Sequence, residues 1–130
     1  MKRFFLVLPL AFISTCTLAE WTKVGESTSR GGFTAYADLA SIQKVGDRAK
    51  MWALFDYKIV QKIGGAEFLS EKIRREYHCK EKQMRKLAFK LYSWNMEDGQ
   101  LVRSYSQPQG WEAIQPGGVD EIEWEVACSK

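Results

Sequence analysis

The first nineteen residues restrict the fold of this chain more than any other feature, because they decide its compartment and its cysteine count. Basic residues open the chain, an apolar run follows over residues 4–13, and small residues precede a cleavage position between Ala19 and Glu20. This order is typical of a secretory signal peptide, and the run is shorter than the ~20 apolar residues that cross a bilayer. We therefore predict a signal peptide over residues 1–19 and a single exported domain over residues 20–130.

Cleavage after Ala19 would also remove Cys16, one of the three cysteines of the chain. The remaining two, Cys79 and Cys128, would fold in an oxidising compartment, where thiols pair into disulfides. A bridge between them would close a loop of roughly 50 residues and stabilise the fold by about 4 kcal/mol on the chain-entropy model. Two buried free thiols are the alternative interpretation of the same pair.

Lipid anchoring through Cys16 is an alternative to a soluble exported protein. The segment Ile13-Ser14-Thr15-Cys16 loosely resembles a bacterial lipoprotein cleavage box, although Thr15 stands where such boxes usually carry Gly or Ala. A lipidated Cys16 would leave the other two cysteines to pair, because a thioether sulfur forms no disulfide. Both alternatives predict export without a transmembrane segment, since no apolar run has the required length.

Alternation of apolar and polar residues predicts a β-rich domain. In the clearest segment the odd positions from Ala49 to Ile59 are aromatic or aliphatic, whereas Asp56 and lysines stand on the even side. Period two with aromatic residues indicates a strand. Similar patterns predict strands over residues 21–24, 33–37, 84–94 and 101–105. The segment 68–79 fits a helix or a strand by periodicity alone, and counting it as a strand gives about six antiparallel strands.

A Pro-Gly-Gly segment ends the strand pattern near the C-terminus. Val119, Ile122 and Val126 then recur at intervals of three and four residues, which is the spacing of one face of a short helix. We therefore predict an α+β fold that is mainly β. A sheet of about six antiparallel strands carries a C-terminal helix, which packs on the sheet through this apolar stripe and is tied to it by the Cys79–Cys128 bridge.

The sequence offers no set of residues typical of catalysis or metal binding. His78 is the one histidine, and no serine lies in the glycine-flanked turn of a hydrolase nucleophile. A bridged cysteine has no thiolate to react, and one His with two paired Cys cannot supply four zinc ligands. We expect no catalytic residue, no cofactor and no metal, and therefore a binding or structural role.

Basic and aromatic residues concentrate between Lys72 and Lys90 and supply candidates for a partner-binding surface. Trp, Tyr and Arg are frequent anchors of protein interfaces. The candidates are Arg74, Arg85, Lys86, Trp94 and Trp111, and we expect the two tryptophans to be exposed. A solvated sheet face is the plainer interpretation of the same charges. Stacking on single-stranded nucleic acid would use similar residues, but export argues against a nucleic-acid partner.

Several segments, taken together, resemble the surface-adhesin protein E family. They follow one another over nearly the whole predicted mature chain: Trp21 to Ser27, Tyr36 to Asp38, Met51 to Lys58, Glu76 to Cys79, Arg85 to Ser93, Pro116-Gly117, Trp124, Ala127-Cys128 and Lys130. The resemblance implies a six-stranded antiparallel sheet with a packed helix, in exported proteins of Gram-negative bacteria. Two departures are His78, where the family pattern has Asp, and Ser129, where it has Gly.

The named member of that family is an adhesin that binds host matrix and plasma proteins. The resemblance therefore implies a protein partner, either a host protein or another envelope protein, met in the periplasm or at the outer cell surface. The matching residues mainly build strands, turns and the bridge, so they carry the fold rather than a binding specificity. An exposed edge strand could also pair with a second copy of the chain and form a homodimer.

Overall fold

An antiparallel sheet forms the body of the protein in a computed structural model that describes residues 20–129. The predicted signal peptide, with Cys16 and Ala19, lies outside the described residues. The elements are β1 (Thr22–Ser27), β2 (Phe33–Val45), β3 (Arg48–Ile63), β4 (Ala66–His78), β5 (Gln83–Tyr92), β6 (Leu101–Tyr105), β7 (Glu112–Ala113) and the helix α1 (Val119–Cys128). A single 3-10 turn, Ser29–Gly31, separates β1 from β2.

The strands β1 to β6 are neighbours in chain order, so the sheet is a meander of antiparallel hairpins. The segment that periodicity left open is the strand β4, which confirms the six predicted strands. A seventh, β7, was not predicted. It pairs with the first residues of β5, whereas β6 pairs with the last ones. The two short strands therefore share β5 as their partner.

One face of the sheet, which we call the helix face, holds the apolar core. It presents the alternate residues of β3 from Ala49 to Tyr57, as the sequence predicted. The rings of Phe33 and Phe55 lie 4.8 Å apart, and Tyr57 meets Phe68 edge to face with centroids 5.8 Å apart. Aromatic pairs at such distances add to the gain from burial itself. The cluster closes over Ile73 and Leu91 on the next two strands.

The helix lies on this face, but it is rotated from the predicted orientation. Val119 is buried as expected, whereas Ile122 is 37% exposed and only its tip reaches Gly25 of β1. Glu123 and Ala127 are fully buried instead. The predicted stripe of apolar residues was therefore only partly right. The carboxyl group of Glu123 lies in the interior because two polar side chains of β4, Arg75 and Tyr77, donate hydrogen bonds to it there.

Glu123 connects the helix to the sheet through a buried polar cluster. Its Oε2 atom accepts hydrogen bonds from the Tyr77 hydroxyl at 3.0 Å and from Arg75 Nη1 at 3.2 Å, and Arg75 Nη1 also meets Asp120 at 2.9 Å. Burial raises the pKa of Glu123 to about 7, against the opposing effects of Arg75 and Tyr77. Burial likewise raises the pKa of Tyr77 well above its usual value, so its hydroxyl keeps its proton and remains a donor.

A disulfide between Cys79 and Cys128 ties the end of the helix to the end of β4, as predicted. The two Cα atoms are 5.6 Å apart, which is a usual separation for a disulfide. The indole Nε1 of Trp124 donates to the carbonyl of His78 at 3.2 Å, next to the bridge. Within residues 20–129, no helix has the length and apolar character needed to span a bilayer.

Candidate partner-binding surface

The sheet face opposite the helix, which we call the open face, is where half-buried aromatic residues and basic residues collect. Residues paired directly across two antiparallel strands point to the same face. Trp52 pairs with Asp38 on β2 and with Arg74 on β4, and Lys72 pairs with Lys90 on β5. None of these five belongs to the helix face. Because α1 contacts the other side of the sheet, no helix covers this face within the described residues, although a loop lies over the part around Asp56 and Ser70.

An open groove of about 1100 Å³ lies at one end of the open face. Aromatic side chains form much of its wall, and charged residues stand among them. The lining residues are Glu20, Trp21, Asp38, Ala40, Ser41, Trp52, Lys72, Tyr92, Met96 and Glu97. A concave site with apolar walls and few polar groups is the usual form of a binding pocket.

Lys72 crosses the floor of the groove between two tryptophan rings. Its ammonium nitrogen lies 5.0 Å from the centre of the Trp52 ring and 5.9 Å from that of Trp21. The same nitrogen donates to Glu97 Oε1 at 2.9 Å. The negative face of an indole ring attracts a cation at these distances. The groove therefore already holds one ammonium group in an aromatic slot.

One wall of the groove is an irregular stretch of β2. The pairing of β2 with β3 is interrupted between Asp38 and Gln43, so the intervening residues leave the ladder. Ser41 fixes this bulge, because its hydroxyl donates to the Asp38 carbonyl at 2.6 Å and accepts from the Trp52 backbone N–H at 2.9 Å. Bulges commonly redirect side chains near functional sites. Here the bulge brings Ala40 and Ser41 to the groove.

The loop over residues 93–99 forms the opposite wall, and it is held down on the sheet. Asp56 accepts from the backbone N–H of Met96 at 2.8 Å, and Ser70 accepts from that of Glu97 at 3.0 Å. Met96 and Glu97 both have left-handed backbones, with φ of 54° and 62°. That conformation is unfavourable for residues with side chains and occurs often at ligand sites. The strain presents Met96 to the groove and Glu97 to Lys72.

The other end of the open face carries a second cation–aromatic cluster around Trp111. The guanidinium carbon of Arg85 lies 4.8 Å from the centre of the Trp111 ring, and that of Arg48 lies 5.4 Å away. Arg85 is also paired with Glu76 at 2.7 Å. Trp111 is therefore half-buried between two arginines, which differs from the exposed side chain that we predicted.

The five predicted binding residues do not form one surface. Arg74, Arg85 and Trp111 belong to the open face, and Arg74 Nη2 donates to Gln43 at 3.4 Å. Trp94 is 63% exposed, as expected, but it lies in the 93–99 loop and is not part of the groove lining. Lys86 pairs with Arg75 and so points to the helix face. A bulge in β5 causes this, because the register of β4 with β5 shifts between Arg74 and Arg75.

Several groove residues were missed from the sequence, although one signal pointed to them. Trp52 and Leu54 interrupt the polar side of β3, and an apolar break of this kind indicates a partly covered face. Trp21, Tyr92 and Met96 come from distant parts of the chain, and only the sheet register brings them together. His78, the single histidine, is half-buried and accepts a hydrogen bond from the Glu81 backbone at its Nδ1. No metal-binding group of His, Cys, Asp and Glu occurs among residues 20–129.

This architecture matches one known protein family and several solved structures. The profile of the family described as "Surface-adhesin protein E" matches residues 21–129. Crystal form II of Haemophilus influenzae protein E is similar in structure, with a TM-score of 0.59, 11% identity, and coverage of 73% of this chain and 80% of that one. The selenomethionine form has a TM-score of 0.58, 12% identity and coverage of 83% and 95%. No curated protein matches the sequence significantly. The chain belongs to the surface-adhesin protein E family.

Proposed function

We propose that this protein is an exported, adhesin-like module that binds a partner protein through the open face of its sheet. The observation that carries the proposal is the uncovered groove, which collects Trp21, Trp52 and Tyr92 on the side that the helix leaves bare. Buried aromatic anchors at the centre of an interface usually supply most of its binding energy. Membership of the adhesin family supports a role in binding rather than in chemistry.

The titratable groups whose pKa values are strongly shifted support a non-catalytic role. Glu123 and Tyr77 are buried on the helix face, where Tyr77 and Arg75 both donate hydrogen bonds to Glu123. Burial also raises the pKa of Tyr57 to about 12, and this hydroxyl contacts Arg30 and Glu71 on the same face. None of these groups lines the groove. Burial inside the fold explains these pKa shifts, so no role in binding or converting a substrate is needed to account for them.

The partner is proposed to be a protein, either of the host or of the bacterial envelope, and the compartment distinguishes the two. A host partner requires the protein at the outer surface, whereas an envelope partner can be met in the periplasm. Protease treatment of intact cells distinguishes these two locations. Degradation of the protein indicates the outer surface, whereas protection from the protease excludes a host partner. A homodimer through the outer strands β1 or β6 remains a proposal that size measurement can test.

The binding role is tested by capturing partners with the purified exported domain and with two matched variants. Tyr92→Ser opens one groove wall, whereas Ile122→Ser removes an exposed apolar side chain from the helix. We expect captured protein from serum, matrix or envelope extracts to be lost with the first variant and kept with the second. Equal capture by both would contradict binding through the open face, provided that both variants keep the circular dichroism spectrum of the parent.

A further inference from the structure

We infer that the groove recognises a basic segment of the partner, with a Lys or Arg side chain stacked on the groove aromatics and facing Asp38. This inference deepens the proposed function and rests on it. It follows from three properties of the open face: its aromatic slots hold a cation, its unpaired charge within the groove is negative, and its opposite end is positive.

Lys72 demonstrates the first property within the chain itself. Its ammonium group is held between Trp21 and Trp52, and its side chain is only 19% exposed. Tyr92 and Met96 line the same groove beside it. A second cation arriving from a partner would therefore meet further aromatic and thioether surface. Guanidinium groups stack on such rings especially well, because they are planar and weakly hydrated.

The second property is the net charge of the groove residues that form no ion pair with one another. Lys72 and Glu97 neutralise each other at 2.9 Å. Among residues 20–129, neither Asp38 nor Glu20 has an ion-pair partner, although both line the groove. If the signal peptide is cleaved after Ala19, the new α-ammonium group offsets the Glu20 carboxylate. Asp38 then supplies the remaining negative charge.

The third property gives the partner segment a direction. Arg48, in the cluster around Trp111, has no ion-pair partner within the described residues and lies on the open face outside the groove. Arg74 is also without an ion-pair partner there, and it pairs directly with Trp52, so it lies between the groove and that cluster. Along β4 the distance from Lys72 to Glu76, beside the arginine cluster, is about 13 Å at ~3.3 Å per residue. An extended segment with a basic residue in the groove and an acidic residue about four positions away would match both ends.

The inference is tested with a seven-residue peptide that carries Arg at its second and Asp at its sixth position, separated by glycines. The readout is the indole N–H resonances in a ¹⁵N-labelled exported domain, whose tryptophans report separate regions. We expect the Trp21 and Trp52 signals to shift on titration, and that of Trp124 on the helix face to stay. Replacing the peptide arginine by citrulline, which keeps the shape and removes the charge, should weaken binding about tenfold.

Two variants of the protein each remove one negative charge, one in the groove and one on the helix. Asp38→Asn should weaken binding of the arginine peptide about three- to tenfold, whereas Glu125→Gln, on the exposed side of the helix, should leave it unchanged. Equal binding of the arginine and citrulline peptides would overturn the inference. So would shifts of Trp21 and Trp52 with a neutral oligosaccharide such as chitotriose but not with the peptide.

The outcome is separable from that of the proposed function. If the arginine peptide does not bind but Tyr92→Ser still abolishes capture of a protein partner, the groove is a binding site and the basic-segment inference is wrong. If the peptide fails to bind and capture is also unaffected by Tyr92→Ser, both the inference and the proposed function are overturned. Binding of the peptide with loss of capture in Tyr92→Ser supports both.

Discussion

The ammonium group of Lys72 on β4 lies 5.0 Å from the centre of the Trp52 ring on the neighbouring strand β3. The contact joins neighbouring strands, and the adjacent Trp21 and Glu97 add the N-terminal segment and the 93–99 loop. Four separate parts of the chain therefore build one site. The groove therefore forms only when the strands pair in the correct register. Substitutions of its residues should consequently change the free energy of unfolding as well as binding.

Lys72→Met should destabilise the fold by about 1 kcal/mol, because it removes a partly buried ion pair and two cation–π contacts. Urea unfolding at pH 7 measures this change. Lys62→Met is the matched control. Lys62 pairs with Glu67 at 3.5 Å, but the two side chains are 72% and 63% exposed, so solvent screens their attraction. Equal effects of the two substitutions would contradict the role given to Lys72.

The buried carboxyl of Glu123 should make stability depend on pH. Its folded pKa is about 7, against 4.5 for the ordinary side chain, so the folded state holds the proton more tightly than the unfolded state does. The stabilisation is fully present below about pH 4.5 and is lost as pH rises through 7, by about 3 kcal/mol in total. Urea unfolding between pH 4.5 and 8 measures this dependence.

Glu123→Gln isolates that contribution from those of other carboxyl groups. The variant keeps the shape and cannot titrate. The free energy of unfolding of the parent minus that of the variant should therefore grow as pH falls from 8 to 4.5. The Oε1 atom of Glu123 has no hydrogen-bond partner among the described residues, which agrees with a costly charged form. A difference that stays constant over this pH range would show that Glu123 keeps an ordinary pKa.

Removal of the disulfide should cost up to about 4 kcal/mol, since Cys79 and Cys128 are 49 residues apart in sequence and the bridge restricts the unfolded chain. The double variant Cys79→Ser with Cys128→Ser tests this by urea unfolding. Hydrogen exchange should rise first in the helix, because a ten-residue terminal helix frays without an anchor. An unchanged midpoint would mean that packing alone holds the helix.

Gly99 is expected to be essential for the shape of the 93–99 loop. Its φ is 77°, and an added Cβ would lie 2.0 Å from Cδ1 of Trp94. Gly99→Ala should therefore destabilise by about 2 kcal/mol and displace the Trp94 ring, which its indole N–H resonance would report. Gly65 is a matched control, since its φ is 83° but nothing lies within 4 Å. Gly65→Ala should cost about 1 kcal/mol, through backbone strain alone.

The sheet could be predicted from sequence because its signal is local. The alternate residues of β3 face one side over the whole stretch from Ala49 to Tyr57, and burial follows that alternation except at Leu54, which is fully buried on the open face. After Asp56 the register with β4 shifts, and Ile59 becomes exposed although it continues the same pattern. The shift results from pairing between strands. No periodicity within β3 contains that information.

The helix orientation and the binding residues depended on contacts that sequence spacing does not encode. Apolar spacing selected Ile122, whereas the hydrogen bonds from Arg75 and Tyr77 turned Glu123 inward. Lys86 lies on the helix face, away from Arg74 and Arg85, because a bulge in β5 reverses the alternation. The tryptophan-rich groove escaped prediction for a similar reason, since its walls are a bulge of β2 and a loop with left-handed residues.

The most direct test of binding through the open face is photo-crosslinking in living cells. A photoreactive phenylalanine analogue replaces Tyr92 in the groove or, in a matched variant, Ile122 on the helix. We predict that irradiation yields a discrete protein adduct from position 92 and none from position 122, and that Trp52→Leu reduces the adduct. Adducts from position 122 alone, or equal adducts from both positions, would contradict binding through the open face.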